Sequence, residues 1–95
     1  MPNKKIIDIY AGPFNQWGPE KEVYSVLGDN AGCKISIAEN NTNGNIRIQI
    51  RYLTDVSTLD WHEYLDGTFV EAEVVYCRIT STSTGGNVKI IVEGN

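Results

Sequence analysis

Basic clusters are what this 95-residue sequence most lacks. Eight Lys and Arg stand against twelve Asp and Glu, for a net charge of −4, and the only adjacent basic pair is Lys4-Lys5. Phosphate backbones and anionic bilayers are held by clustered cations. Neither nucleic acid nor a membrane surface is therefore an expected partner. Long apolar runs are missing as well. Ile6-Ile7 is followed at once by Asp8, which interrupts the unbroken stretch of about 7–15 apolar residues that a secretory leader requires. No segment approaches the roughly 20 apolar residues of a membrane helix. The expectation is synthesis in a cytosol without a signal peptide, or excision from a longer chain.

The residues of catalysis and metal binding are equally sparse. Cys33 and Cys77 lie far apart, with no CxxC motif or Cys/His cluster, so zinc is not expected. Both fall in apolar, strand-like runs and read as small buried hydrophobes. His62 is the only histidine. Asp60 and Glu63 flank it, but one local cluster does not supply the converging nucleophile, base and orienting group that covalent catalysis needs. His62 reads as an exposed loop residue. Glycosidases hold two carboxylates across a groove. Glu71 and Glu73, two apart on a strand, share one face and read as a solvated stripe. Gly28-Asp29-Asn30-Ala31-Gly32 lacks the Lys-Ser/Thr ending and the following helix of a phosphate loop, and reads as a turn. Asp29, Asp55 and Asp66 belong to no EF-hand-type loop. The expectation is no enzyme, no metal and no cofactor.

Alternation is what the chain does have. IRIQIRYL (residues 46–53) sets Ile46, Ile48, Ile50 and Tyr52 against Arg47, Gln49 and Arg51, a strand with one buried and one wet face. CKISIAE (33–39) turns Cys33, Ile35 and Ile37 inward, and NVKIIVEG (87–94) does so with Val88, Ile90 and Val92. KKIIDIYA (4–11) groups Ile7, Ile9 and Ala11, leaving Ile6 and Tyr10 on the far side. EVYSVL (22–27) fits a strand buried on both faces. FVEAEVVYCRITST (69–82) is too long for one regular strand, so a bend or bulge is expected near residues 72–74. Gly/Asn-rich turns separate these runs, and helix is confined to at most one turn within residues 57–65. Many short strands with regular turns predict an all-β antiparallel β-sandwich, jelly-roll-like, with residues 1–95 as one domain.

Two loops exceed what a hairpin needs, and long loops on a rigid scaffold are where binding residues gather. Residues 11–21 carry Pro13, Phe14, Trp17 and Pro19. An exposed Trp17 beside Asn15 and Gln16 would stack on a sugar while the amides bind hydroxyls. Otherwise Trp17 folds back to cap the sandwich or packs at a subunit contact. Residues 54–67 carry Trp61 and Tyr64, and Tyr64 joins Asn15, Gln16 and Trp17 as a candidate ligand-binding residue.

The second half carries a resemblance. Arg51-Tyr52, Asp55, Ser57-Thr58, Trp61, Tyr64, Gly67-Thr68-Phe69, Ala72, Val75, Arg78 and Thr80 follow one another in an order that resembles bacteriophage tail and host-attachment proteins. These are jelly-roll domains related in architecture to discoidin, or galactose-binding-like, modules. Glu73 stands where that pattern favours arginine, Cys77 where it favours an aromatic, and Leu59 lies where a second tryptophan is common. The resemblance covers about half the chain. It implies a non-enzymatic virion module, namely a small tail, fibre or decoration protein assembled in the host cytoplasm. Such a module docks on other virion proteins and touches host glycans. It also implies that Trp61 is a packing anchor. On physical grounds Trp61 and Phe69 would bury large areas at the core's edge, and Gly67 would supply the positive φ of a turn. Arg78 would face solvent or pair with a carboxylate such as Glu73 or Asp66. A homo-oligomer is expected, with Ile6, Tyr10 or Ile91 as an apolar stripe. The alternative reading is a free-standing carbohydrate-binding module whose platform is Trp17, Asn15 and Gln16.

Overall fold

The period-two runs become strands because alternation lets each bury one face while its backbone pairs sideways. The computed structural model describes residues 4–23, 32–53, 60–71 and 74–94. They form β1 (Lys4–Gly12), β2 (Lys21–Glu22), β3 (Cys33–Asn40), β4 (Ile46–Tyr52), β5 (His62–Tyr64), β6 (Phe69–Val70), β7 (Val74–Ser81) and β8 (Gly86–Gly94). The chain is all-β, as expected. No helix of the described residues is long and apolar enough to cross a membrane. The expected strand over 22–27 lies outside the described residues beyond Val23, as do Asp29, Asp55, Ser57, Thr58, Leu59, Ala72 and Glu73.

Hydrogen bonds join the strands in the order β5-β4-β7-β1-β8-β3-β6, with β2 also on β7. This is one curled mixed sheet, and its pairing corrects the purely antiparallel expectation at one contact. β1 meets β7 in parallel, with Ala11 opposite Ile79 and Gly12 opposite Thr80. The cause is a shared edge. β2 takes up β7 at Cys77 and Tyr76, so only the far end of β7 is open to β1, whose own partner along its length is β8. The long run 69–82 holds β6, paired with β3, and β7, paired with β4. Of the bend or bulge expected near residues 72–74, positions 72–73 lie outside the described residues, and the register of β7 with β4 shifts between Val74 and Tyr76.

The two ends of the curled sheet are stitched together. Tyr64 on β5 is buried, and its hydroxyl accepts the Ile35 N–H at 2.8 Å. The same hydroxyl faces the carbonyl oxygens of Ile35 and Thr68. The next turn adds the Gly67 N–H on the Ile35 carbonyl (2.9 Å) and the Ile37 N–H on the Asp66 carboxylate (2.9 Å). Gly67 adopts φ 81° there, a conformation that costs glycine little. Inside the curl lie Ile7 and Ile9 of β1, Ile35 of β3, Ile50 of β4, Ile79 of β7 and Ile90 of β8, all buried. Burying a side chain of this size contributes about 1.5–3 kcal/mol, so this cluster is the main favourable term of the fold. Cys33 and Cys77 belong to it as free thiols.

Candidate functional site

The outward residues of β4, β5 and β7 form the most chemically distinctive surface of the described chain. Register sets it out. Gln49 lies between Glu63 and Arg78, Arg51 lies opposite Tyr76, and Arg47 lies opposite Thr80. Alternation that turns Ile48 and Ile50 inward must turn Arg47, Gln49 and Arg51 outward. The sequence has three arginines, at 47, 51 and 78, and two tryptophans, at 17 and 61. Its fold brings all five to this one face.

The order of contacts is specific. The Arg78 guanidinium carbon lies 4.1 Å from the Trp61 ring centre and 4.9 Å from that of Trp17. The cation is therefore held between two indoles, whose negative faces attract it. Its Nε and Nη2 both donate to Gln49 Oε1, at 2.9 and 2.6 Å. Gln49 Nε2 passes the chain on to Glu63 Oε1 (2.8 Å), which also accepts Arg47 Nη2 at 2.6 Å. Arg47 lies 5.3 Å from the Trp17 ring, and Arg51 lies 5.8 Å from both Trp61 and Tyr76. Arg51 Nε is shielded from solvent and has no hydrogen-bond partner among the described residues.

Electrostatics follow from these contacts. Partial burial pulls the Glu63 carboxyl upward. Hydrogen bonds from Gln49 and Arg47, with the charges of Arg47 and Arg78, outweigh that pull and hold it below its ordinary value. Burial lowers Arg78, while Glu20 and Glu63 oppose the shift. Arginine remains cationic under such a shift, so among the described residues three cations meet one directly bonded carboxylate here.

Trp17 reaches this face because its loop is clamped to β7. Phe14 and Asn15 donate N–H groups to the Ser83 and Ser81 carbonyls (2.8 Å each), and Gly18 donates to Ile79 at 3.1 Å. The Thr80 hydroxyl donates back to the Gln16 carbonyl at 2.6 Å. Phe14 and Asn15 take positive φ values of 52° and 65°, and Phe14 does so against its own preference. At Gly12 a Cβ would run into the Gln16 carbonyl oxygen, so only glycine permits this close approach.

The expected site residues are thus separated. Asn15 and Gln16 are exposed at the rim, and Trp17 is half-buried against arginine. It is neither a free platform nor a core cap. Tyr64, expected as a ligand contact, is a core residue whose hydroxyl serves backbone groups. Trp61 anchors the outer face through Arg78 instead of the core's edge. Phe69, expected to be buried, is 46% exposed because two-residue β6 lies at the rim of the sheet. Arg78, expected to face solvent or to pair with Glu73 or Asp66, is half-buried on the outer face and meets Gln49 and two rings. Asp66 bonds Ile37 instead, and Glu73 lies outside the described residues. His62 is exposed on β5 and stacks on Tyr52 at 4.7 Å. Burial raises Cys33 to about 11 and Cys77 to about 12, so neither is a thiolate nucleophile at neutral pH. The assembled face was missed because β4 advertises only alternating arginines. The hint was the pairing of three arginines and two tryptophans in so short a chain.

A second concavity of about 570 Å³ lies between the β3–β4 turn and the β5–β6 turn. Ile37, Ile46, Ile48 and Leu65 supply its apolar lining, and Asn45 and Asp66 are among its polar groups. Among the described residues, no three His, Cys, Asp or Glu side chains gather where they would hold a metal. No protein-family model, curated protein or solved structure matches this chain.

Proposed function

We propose that this domain is a non-enzymatic docking module and that the arginine–tryptophan face is its contact surface. The observation that carries this reading is the gathering of every arginine and both tryptophans on one side of β5-β4-β7. Arginine and tryptophan are enriched among the residues that dominate the energetics of protein interfaces. Rings already stacked on guanidinium groups are preorganised, which lowers the cost of binding. The resemblance of the second half to phage tail and host-attachment proteins supplies the setting. The partner is then another virion protein, and the domain resides in the virion. The test is the copy number of the chain in purified particles assembled with Arg51→Ala or Trp17→Ala. Depleted incorporation relative to Lys5→Ala supports the reading. Wild-type incorporation of both variants refutes it.

One observation favours a second reading, carbohydrate binding. Asn15 and Gln16 remain exposed beside the half-buried Trp17. A glycan array probed with wild type and Trp17→Ala decides it. A sugar bound by the wild type and lost in the variant favours the carbohydrate module, and an empty array removes it.

A further inference from the structure

The opposite side of the curl carries a pattern of its own. Along the outer face of β1, β8 and β3, pairing sets three rows. Lys4, Glu93 and Lys34 are opposite one another in the first. Ile6, Ile91 and Ser36 form the second. Asp8, Lys89 and Glu39 form the third, where a β-bulge after Ile37 brings Glu39 into line. The outer rows are therefore + − + and − + −, with an apolar centre between them. Ile6 is 67% exposed and sits beside the half-buried Ile91 between the two charged rows.

We infer that this face binds a second copy of the chain through a two-fold axis lying along the Ile6–Ile91–Ser36 row. That rotation turns the second copy over, and each strand faces its own counterpart running the other way. Lys4 then faces Asp8 of the second copy, Glu93 faces Lys89, and Lys34 faces Glu39. Ile6 meets Ile6 and Ile91 meets Ile91. Every charge meets its opposite, with Glu93 also 3.8 Å from Lys34 of its own chain, and Ser36 meets Ser36 beside the two isoleucines. A two-fold axis along the strands instead sets Lys4 against Lys34, Asp8 against Glu39, and Glu93 and Lys89 each against itself. Like charges in contact cost several kcal/mol, so the pattern selects one arrangement and opposes the other. Isologous contacts of this kind close after two copies. They also leave the arginine–tryptophan face free, so this inference stands apart from the docking proposal.

The size of the face sets the strength. β1 and β8 are nine residues long, or about 30 Å, and three strands span about 14 Å including their side chains' reach. That is roughly 420 Å² per copy, below the size of standard stable interfaces, so the contact is a weak one. A weak, reversible dimer is therefore expected. Because its charges lie at the surface, salt weakens it.

Sedimentation equilibrium across concentration and salt tests the inference. The wild type is expected to dimerise reversibly. Ile6→Lys and Lys89→Glu are each expected to weaken association by at least about 10-fold. The double variant Lys89→Glu with Glu93→Lys makes one outer row wholly positive and the other wholly negative, which restores complementarity and the dimer. Thermal melts by circular dichroism confirm that each variant is folded. A wild type monomeric up to about 1 mM overturns the inference. So does an oligomer indifferent to Ile6→Lys, or a folded double variant that fails to recover association.

Discussion

The hydroxyl of Tyr64 closes the curled sheet, and removing that one atom isolates its contribution. Tyr64→Phe keeps the ring in a site that is 8% exposed and leaves the Ile35 N–H without its acceptor. Ile35 is 0% exposed, so water does not replace the lost partner. An orphaned buried donor costs about 1–3 kcal/mol. The Ile35 carbonyl is less affected, because Gly67 still donates to it at 2.9 Å. The expected loss is about 2 kcal/mol. For a domain of this size each kcal/mol shifts Tm by roughly 4–8 °C, so Tm should fall by about 8–16 °C. Urea melts provide the assay. The midpoint should drop while the m-value stays fixed, since the area exposed on unfolding is unchanged. A loss under about 0.5 kcal/mol would refute the idea that this hydroxyl joins the sheet's ends.

Three further outcomes follow from particular contacts. Gly12→Ala forces a methyl toward the Gln16 carbonyl and should lift the loop. The expected cost is about 1–3 kcal/mol, with Trp17 becoming more accessible to acrylamide quenching; unchanged quenching contradicts the clamp. Glu63 titrates below its ordinary 4.5 in the folded chain, so its stabilisation is present above 4.5 and is lost as pH falls through the folded value. Glu63→Gln should flatten the acid limb of the stability curve, and an unaltered limb would show that Arg47 and Gln49 do not hold that charge. The buried thiols act at the other end of the scale. Unfolded cysteines ionise near 9.0 while Cys33 and Cys77 hold their protons to about 11 and about 12. Stability should therefore fall as pH climbs from 9.0. Ellman's reagent should label neither thiol in the native chain and both in urea, and prompt native labelling would contradict their burial.

Alternation made the strands legible. Ile48 and Ile50 point inward and Gln49 outward because a period of two leaves no other arrangement, and Ile7, Ile9 and Ala11 follow the same rule on β1. Pairing across the chain was not legible. The parallel contact of Ala11 with Ile79 depends on which segment reaches β7's open edge, and no local pattern encodes that competition. Tyr64 illustrates the same limit at one residue. A tyrosine in a long loop reads as a surface contact, yet its ring belongs to the core because β5 pairs with β4 at Ile48. The three arginines and two tryptophans were each visible singly. Their convergence required the register of β4 with β5 and β7, and a glycine at position 12 that lets the Trp17 loop lie against Thr80.

The docking proposal is best tested by hydroxyl-radical footprinting of the indoles, read by mass spectrometry, in the free chain and in the virion particle to which that proposal assigns it. Trp17 and Trp61 are half-exposed in the free chain and should both be oxidised there. If the arginine–tryptophan face seats a partner, both should be protected in the particle while Phe14, 65% exposed on the far turn of the loop, changes less. Equal oxidation of Trp17 and Trp61 in the two states would contradict the account.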